Sequence, residues 1–163
     1  MQTFVMTGGT SGLGAVAAKV ILRSKNLRLL LGSRGGVISG AETVSVDLAS
    51  LESVRHFSEE VIRRLEGSFI DVLILNAGVN LPTDDKRTID GFETTFAVNH
   101  LAHYLILRKL SPHLAIGARV VVTTSDTHDP KINRLAPPVG VDAKRLARPE
   151  QVIRLPTSDR KAS

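Results

Sequence analysis

Thr7-Gly8-Gly9-Thr10-Ser11-Gly12-Leu13-Gly14 follows the apolar run at residues 2–6 and leads into the Ala- and Val-rich stretch at 13–22. A strand that passes through a glycine turn into a helix is therefore predicted at the start of the sequence. Glycines at 8, 12 and 14 let the backbone turn sharply and come close to a bound group, because they lack a Cβ. The helix opening there offers unpaired N–H groups and the positive end of its dipole, which suit a phosphate. Thr10 and Ser11 add hydroxyl donors. A glycine cluster alone fits many tight turns, and its position at a first strand–helix junction is what points to a dinucleotide.

Working outward, apolar runs at 27–31, 43–46, 70–75 and 119–124 predict four more strands. Helical spacing appears at 51–65, where Leu51, Val54, Phe57, Val61 and Leu65 share a face behind Ser50 as N-cap. It appears again at 91–110, with Phe92, Phe96, Asn99, His103 and Ile106 on one side. Strands alternating with helices predict an α/β fold, a doubly wound parallel sheet with right-handed crossovers. Residues 32–42 are close to the lower limit of about 10–12 residues for a parallel crossover. Gly35, Gly36, Ser39 and Gly40 make that connection a loop or a single turn. Beyond Asp126 the pattern is broken by Pro130, Pro137, Pro138, Pro149 and Pro156, leaving room for one short helix at 142–146. The expected division is a dinucleotide-binding domain at 1–129 and a basic, Pro-rich tail at 130–163.

Composition narrows the function classes. Of the 163 residues, 42% are hydrophobic and 23% charged, a globular balance, and only 4% are aromatic. The core is therefore expected to be aliphatic, as suits strands buried on both faces. There is no cysteine, which excludes disulfides, thiolate metal sites and a cysteine nucleophile. No apolar run reaches the length of a membrane span, no signal peptide is read at the start, and a cytoplasmic location is expected. The net charge of +5 lies wholly in residues 131–163, which carry eight Lys/Arg against three Asp/Glu. That segment holds no aromatic residue for base stacking, so a solvated tail is read there and no nucleic-acid partner is expected. The five histidines, at 56, 100, 103, 113 and 128, show no paired ligand spacing, and no metal site is expected.

The glycine turn has the spacing Gly-xxx-Gly-x-Gly, which resembles the short-chain dehydrogenase/reductase family. Val46-Asp47-Leu48 resembles the family's Asp-Leu pair bordering the adenine pocket, and Asn76-Ala77-Gly78 its motif bordering the cofactor crevice. Val98-Asn99-His100 resembles the helix that carries its structural and catalytic Asn. Val120-Val121-Val122-Thr123-Thr124-Ser125 resembles the fifth strand, ending in the catalytic Ser. The text around Asp90-Gly91-Phe92-Glu93 and Asn99-His100-Leu101-Ala102-His103 is most similar to the retinol-dehydrogenase and protochlorophyllide-reductase-like branch. The resemblance implies a Rossmann-type sheet of about five strands in the order 3-2-1-4-5. It also implies cofactor contacts from Gly8, Thr10, Ser11, Gly12, Leu13, Gly14, Asp47, Leu48, Asn76, Ala77 and Gly78. Catalytic roles fall to Ser125, binding substrate oxygen, and Asn99, supporting a relay water. Each residue taken singly also fits a plain structural role: Asp47 a helix cap, Asn76 a strand-end brace, Asn99 a helix brace, Ser125 a strand-terminal hydroxyl.

An NAD-specific pocket places Asp or Glu at the end of the second strand. Here that strand ends Leu31-Gly32-Ser33-Arg34, and Arg34 suits the 2′-phosphate of NADP through a forked, charge-assisted contact. NADP(H) is thus expected over NAD(H), with a small carbonyl or alcohol as substrate.

The family's hydride transfer also needs a Tyr-x-x-x-Lys pair beyond the Ser, whose Tyr acts as the acid/base. The one tyrosine, Tyr104, precedes Ser125 and is followed four residues on by Arg108; its flanks suggest a core or helix-interface position. The sequence therefore reads as C-terminally truncated before its catalytic helix, lacking the last strands and part of the helices that form the family's dimer interface. The fifth strand would be an open edge, with marginal stability and a tendency to aggregate as consequences. Three readings follow: an NADP(H)-dependent oxidoreductase, a catalytically inactive NADP-binding module, or a non-functional fragment. The identity of the substrate and the oligomeric state stay open.

Overall fold

The computed structural model describes residues 1–81, 86–125 and 142–149. Five parallel strands form one sheet in the order β3-β2-β1-β4-β5. They are β1 (Gln2–Thr7), β2 (Leu27–Ser33), β3 (Glu42–Ser45), β4 (Ile70–Leu75) and β5 (Leu114–Val122). The helices are α1 (Gly12–Ile21), α2 (Leu51–Leu65), α3 (Thr94–Phe96), α4 (Ala102–Leu110) and α5 (Ala143–Ala147). A π-helical turn, Ala97–Leu101, joins α3 to α4.

Strands β1, β2 and β4 send aliphatic side chains into a packed layer on each face, whereas β5 stays largely exposed. On one face Val5, Leu30, Val44, Leu73 and Leu75 pack with Val54, Phe57, Val61 and Leu65 of α2 and with Ala102, Ile106 and Leu110 of α4. On the other, Met6, Leu29 and Leu31 pack against Ala18 of α1 and against Ile38. The connection from β2 to β3 is a loop, and Ile38 lets it cover the core with one side chain where a helix would normally lie. Helix α2 starts where the sequence pattern starts it: Ser50 accepts from the Ser53 N–H at 3.2 Å, and Asp90 accepts from the Leu51 N–H at 2.8 Å. The left-handed Glu66 at φ 51°, followed by Gly67 at φ 84°, ends the helix.

Three expectations are corrected. The buried side of the 91–110 segment runs through Val98, Ala102, Ile106 and Leu110, with His103 beside them, whereas Phe92 and Phe96 are half-buried and Asn99 is exposed. The π turn widens the helix and shifts its phase, so a regular 3.6-residue period places the face wrongly. Tyr104, read as core or helix-interface, is 56% exposed, because the buried face of α4 runs through Ala102, His103, Ile106 and Leu110 and leaves it on the other side. Strand β5 begins earlier and ends earlier than residues 119–124, because Leu114 already pairs with Ile70 across an irregular stretch near Gly117, at φ 80°.

Most of the Pro-rich segment lies outside the described residues, but 142–149 does not behave as a solvated tail. Asp142 caps α5 by accepting from the Lys144 and Arg145 N–H groups. The Ala147 carbonyl accepts from the Glu93 N–H at 2.9 Å, and the Arg148 guanidinium lies 4.8 Å from the centre of the Phe92 ring.

Candidate functional site

The carboxyl ends of the parallel strands open into a cleft of about 610 Å³. In an open α/β sheet this is where a ligand binds, beside the point at which the strand order reverses. Here that point lies between β1 and β4.

The glycine turn forms one wall. Gly8 adopts φ 69°, and a Cβ there would stand 2.5 Å from the Ala77 Cα. A Cβ on Gly14 would stand 1.9 Å from the Gly8 carbonyl oxygen. These two glycines let the first turn of α1 press against β1 and the segment after β4. Ser11 is the N-cap of α1 and makes no side-chain cap bond, and the first turn carries no acidic residue. The first-turn N–H groups have no intrahelical acceptor and form a cradle for an anion. Gly12, at φ 51°, has open space around it and is not part of the cleft lining.

The other walls come from the ends of β2, β3 and β4. Arg34 follows β2, lines the cleft and is exposed; among the described residues no carboxylate pairs with it. Gly36, in the same loop, abuts Thr10, since a Cβ there would stand 2.7 Å from the Thr10 Cβ. Asp47 and Leu48 follow β3 and line the cleft. Asp47 does not cap α2, which Ser50 does; its carboxylate accepts from the Ala49 N–H at 3.0 Å, shaping the turn at the rim.

Asn76 ties the site together. Its Nδ2 donates to the Gly8 carbonyl at 2.9 Å, and its Oδ1 accepts from the Thr123 hydroxyl at 2.9 Å. One amide thus links the glycine turn to the end of β5. Ala77 and Gly78 continue along the cleft wall. Asn99 braces the next residue: Oδ1 accepts from the Val79 N–H and Nδ2 donates to the Val79 carbonyl, both at 2.8 Å.

The cleft accordingly brings together Gly8, Thr10, Ser11, Leu13, Gly14, Arg34, Asp47, Leu48, Asn76, Ala77 and Gly78. It does not include Gly12, Asn99 or Ser125 in its lining. Sequence reasoning missed Val79 and Thr123, which line the cleft, and Thr7 and His103, which stand behind it: Thr123 bonds Asn76, Thr7 accepts from the Asn76 and Ala77 N–H groups, and His103 meets Thr7. Thr7 had a signal, a hydroxyl at the end of an apolar strand immediately before the turn. His103 is 6% exposed and its ring faces the Thr7 hydroxyl at 3.1 Å. Burial holds this imidazole below its ordinary pKa, a bond to the Asn99 backbone raises it in part, and His100 nearby lowers it further.

The sheet order with helices on both faces defines a Rossmann-type α/β domain. Residues 2–136 match the family model described as short chain dehydrogenase, and the chain belongs to that family of oxidoreductases. Among its relatives, protochlorophyllide reductase B of Oryza sativa subsp. japonica, a chloroplastic protein by its name, is 41% identical over 122 residues. That match covers 66% of this chain and 30% of the rice protein. The WW domain-containing oxidoreductase of Drosophila melanogaster is 34% identical over 143 residues, covering 78% of this chain and 34% of that one. A solved short-chain dehydrogenase/reductase from Brucella ovis superimposes with a TM-score of 0.66 at 26% identity, covering 79% of this chain and 64% of the other. The chain therefore spans about a third of the length of these two relatives.

Proposed function

We propose that this chain is the dinucleotide-binding part of an NADP(H)-dependent oxidoreductase acting on a small carbonyl or alcohol. The observation that carries the proposal is the cleft itself, where the glycine turn, Arg34, Asp47 and Asn76 face one volume. The space kept by Gly8 and Gly14, where a Cβ would clash, fits a backbone built to receive a pyrophosphate. When bound, the nicotinamide supplies or accepts the hydride. The first turn of α1 and the Thr10 and Ser11 hydroxyls bind the phosphates. Arg34 binds the 2′-phosphate, Asp47 and Leu48 border the adenine end, and Asn76, Ala77 and Gly78 border the crevice.

These 163 residues bind the dinucleotide without turning it over. Their one tyrosine, Tyr104, is exposed on α4 and does not line the cleft, and neither does Ser125 or Asn99. The roles of Ser125 toward substrate oxygen and of Asn99 toward a relay water require an acid/base tyrosine, which none of the described residues brings to the cleft. No described helix is long and apolar enough to cross a membrane, and the chain is proposed to work in the cytoplasm.

Titration of the purified chain with NADPH and NADH tests the binding reading. Saturable binding, tighter for NADPH, is expected, together with no steady NADPH oxidation over a panel of carbonyls and quinones. Sustained oxidation would replace the binding-only reading with an active enzyme, and absence of binding would remove the site. Charge-assisted hydrogen bonds contribute about 1.5–3 kcal/mol, so Arg34→Ala should weaken NADPH roughly 10- to 100-fold and leave NADH unchanged. An equal loss for both cofactors would remove Arg34 from the 2′-phosphate.

A further inference from the structure

His103 is a buried titratable residue outside the cleft, and the hydrogen bonds around it determine its state. Thr7, the last residue of β1, is 1% exposed. Its Oγ1 accepts from the Asn76 N–H at 3.2 Å and from the Ala77 N–H at 3.3 Å. A hydroxyl has two lone pairs and one proton. With both lone pairs taken, the proton is left for the remaining neighbour, His103 Nε2, at 3.1 Å. Nε2 must then be bare, and the ring proton sits on Nδ1, where it meets the Asn99 backbone. A directed chain results: the Asn76 and Ala77 N–H groups donate to Thr7, Thr7 to His103, and His103 to Asn99.

We propose that His103 is a positioning residue for dinucleotide binding, a neutral Nδ1–H imidazole that orients the Thr7 hydroxyl and so fixes the Asn76–Ala77 backbone against Gly8. The proposal rests on the reading that the cleft takes a dinucleotide. Fixing matters because Gly8 passes Ala77 with no room for a methyl group, and because Asn76 carries the bond that closes the glycine turn. No other acceptor is required of the Thr7 proton. An aromatic ring without Nε2 leaves that proton unmatched and frees the hydroxyl to turn away from the two N–H groups. Burial, which disfavours the imidazolium, supports the neutral form near pH 7.

The test combines binding with a spectroscopic signature. NADPH is titrated into the full chain and into His103→Phe, His103→Gln, Thr7→Val and the Thr7→Val/His103→Phe double variant. His103→Phe is expected to weaken binding about tenfold, one hydrogen bond's worth, whereas His103→Gln, which keeps an acceptor, stays within about threefold. The double variant should bind no more weakly than the weaker single variant, because both act through one hydroxyl. In the unmodified chain the ¹⁵N spectrum of His103 should show a bare Nε2 and a protonated Nδ1 at pH 7. A proton on Nε2 overturns the proposal whatever the variants do, and so does NADPH binding that is unchanged in His103→Phe. Failure of the unmodified chain to bind NADPH would remove the cleft reading and this role with it, even with the expected tautomer present.

Discussion

Gly12 and Gly14 lie two residues apart in one turn and carry different constraints. At Gly14 a methyl group would enter the Gly8 carbonyl at 1.9 Å, a contact with backbone that cannot move aside. Gly14→Ala should therefore cost about 3 kcal/mol or more and abolish NADPH binding, as measured by urea unfolding and by titration. At Gly12 the space is open, and the penalty is only that of an L residue at φ 51°, about 1–2 kcal/mol, with binding retained. Equal losses in the two variants would contradict the packing argument. His103 supplies a pH dependence whose sign follows from burial. Its folded pKa lies below the ordinary imidazole value of 6.5, so the unfolded chain takes up the proton first. The contribution to stability is fully present above about pH 6.5 and is lost as the pH falls from there through the depressed folded value. Unfolding free energies measured from pH 8 to 5 should decline in that window, and His103→Gln should remove that part of the decline. A decline of the same size in His103→Gln would assign it to other groups; Glu42 is not among them, because its carboxyl, held low by Arg28, loses its contribution only below the ordinary carboxylate range.

At the scale of elements, helix α2 was legible in full because its face repeats regularly behind a serine cap. Its central Phe57 is 1% exposed between the sheet and the helix, so Phe57→Ala should lose about 3–5 kcal/mol in chemical unfolding. A loss below about 1 kcal/mol would mean that the α2 face is not the core. The glycine turn and the loop from β2 to β3 were legible for the same kind of reason, since local spacing decides them, whereas the strand order followed from the family resemblance. The helix through Asn99 was not. A π turn leaves no mark in hydropathy, and the widened turn holds Asn99, which bonds Val79, while Tyr104 lies beyond it on the exposed side of α4. The site was legible where a motif residue itself lines the cleft, as Gly8, Asp47 and Asn76 do. It was not legible where a residue acts from behind. Thr7 and His103 are distant in sequence from the groups they hold, and only the folded sheet joins them. The docking of 142–149 on Arg87, Phe92 and Glu93 was hidden likewise, because it depends on one backbone bond, a guanidinium over a ring and a bond from Arg87 to the Pro149 carbonyl.

For the whole molecule, the two edges of the sheet differ. β3 is short, with the exposed Glu42 at its start tied to Arg28 by a 2.7 Å ion pair, a charged and closed margin. β5 is longer and apolar. Its first half is blunted: four residues, 115–118, stand opposite the single residue 71, and Gly117 at φ 80° bends the strand away. Its second half is regular. Arg119, Val120, Val121 and Val122 pair in register with Val72, Leu73, Ile74 and Leu75, and among the described residues no strand pairs with their outer side. Val120, Val121 and Val122 are 39%, 46% and 53% exposed, so both faces of this stretch are open as well as its edge. A flat apolar edge of this kind offers unpaired backbone groups to another strand, and the only charge on it is Arg119 at one end. The chain as given should therefore self-associate through β5. Sedimentation velocity over a concentration series should show the monomer giving way to larger species at micromolar concentrations. Val121→Lys places a charge in the middle of the edge without removing a core contact, so it should shift that series toward monomer and leave the unfolding midpoint of the monomer within about 0.5 kcal/mol. If Val121→Lys associates as readily as the unmodified chain, the contact lies elsewhere, and the exposed α4 surface around Tyr104 becomes the next surface to charge.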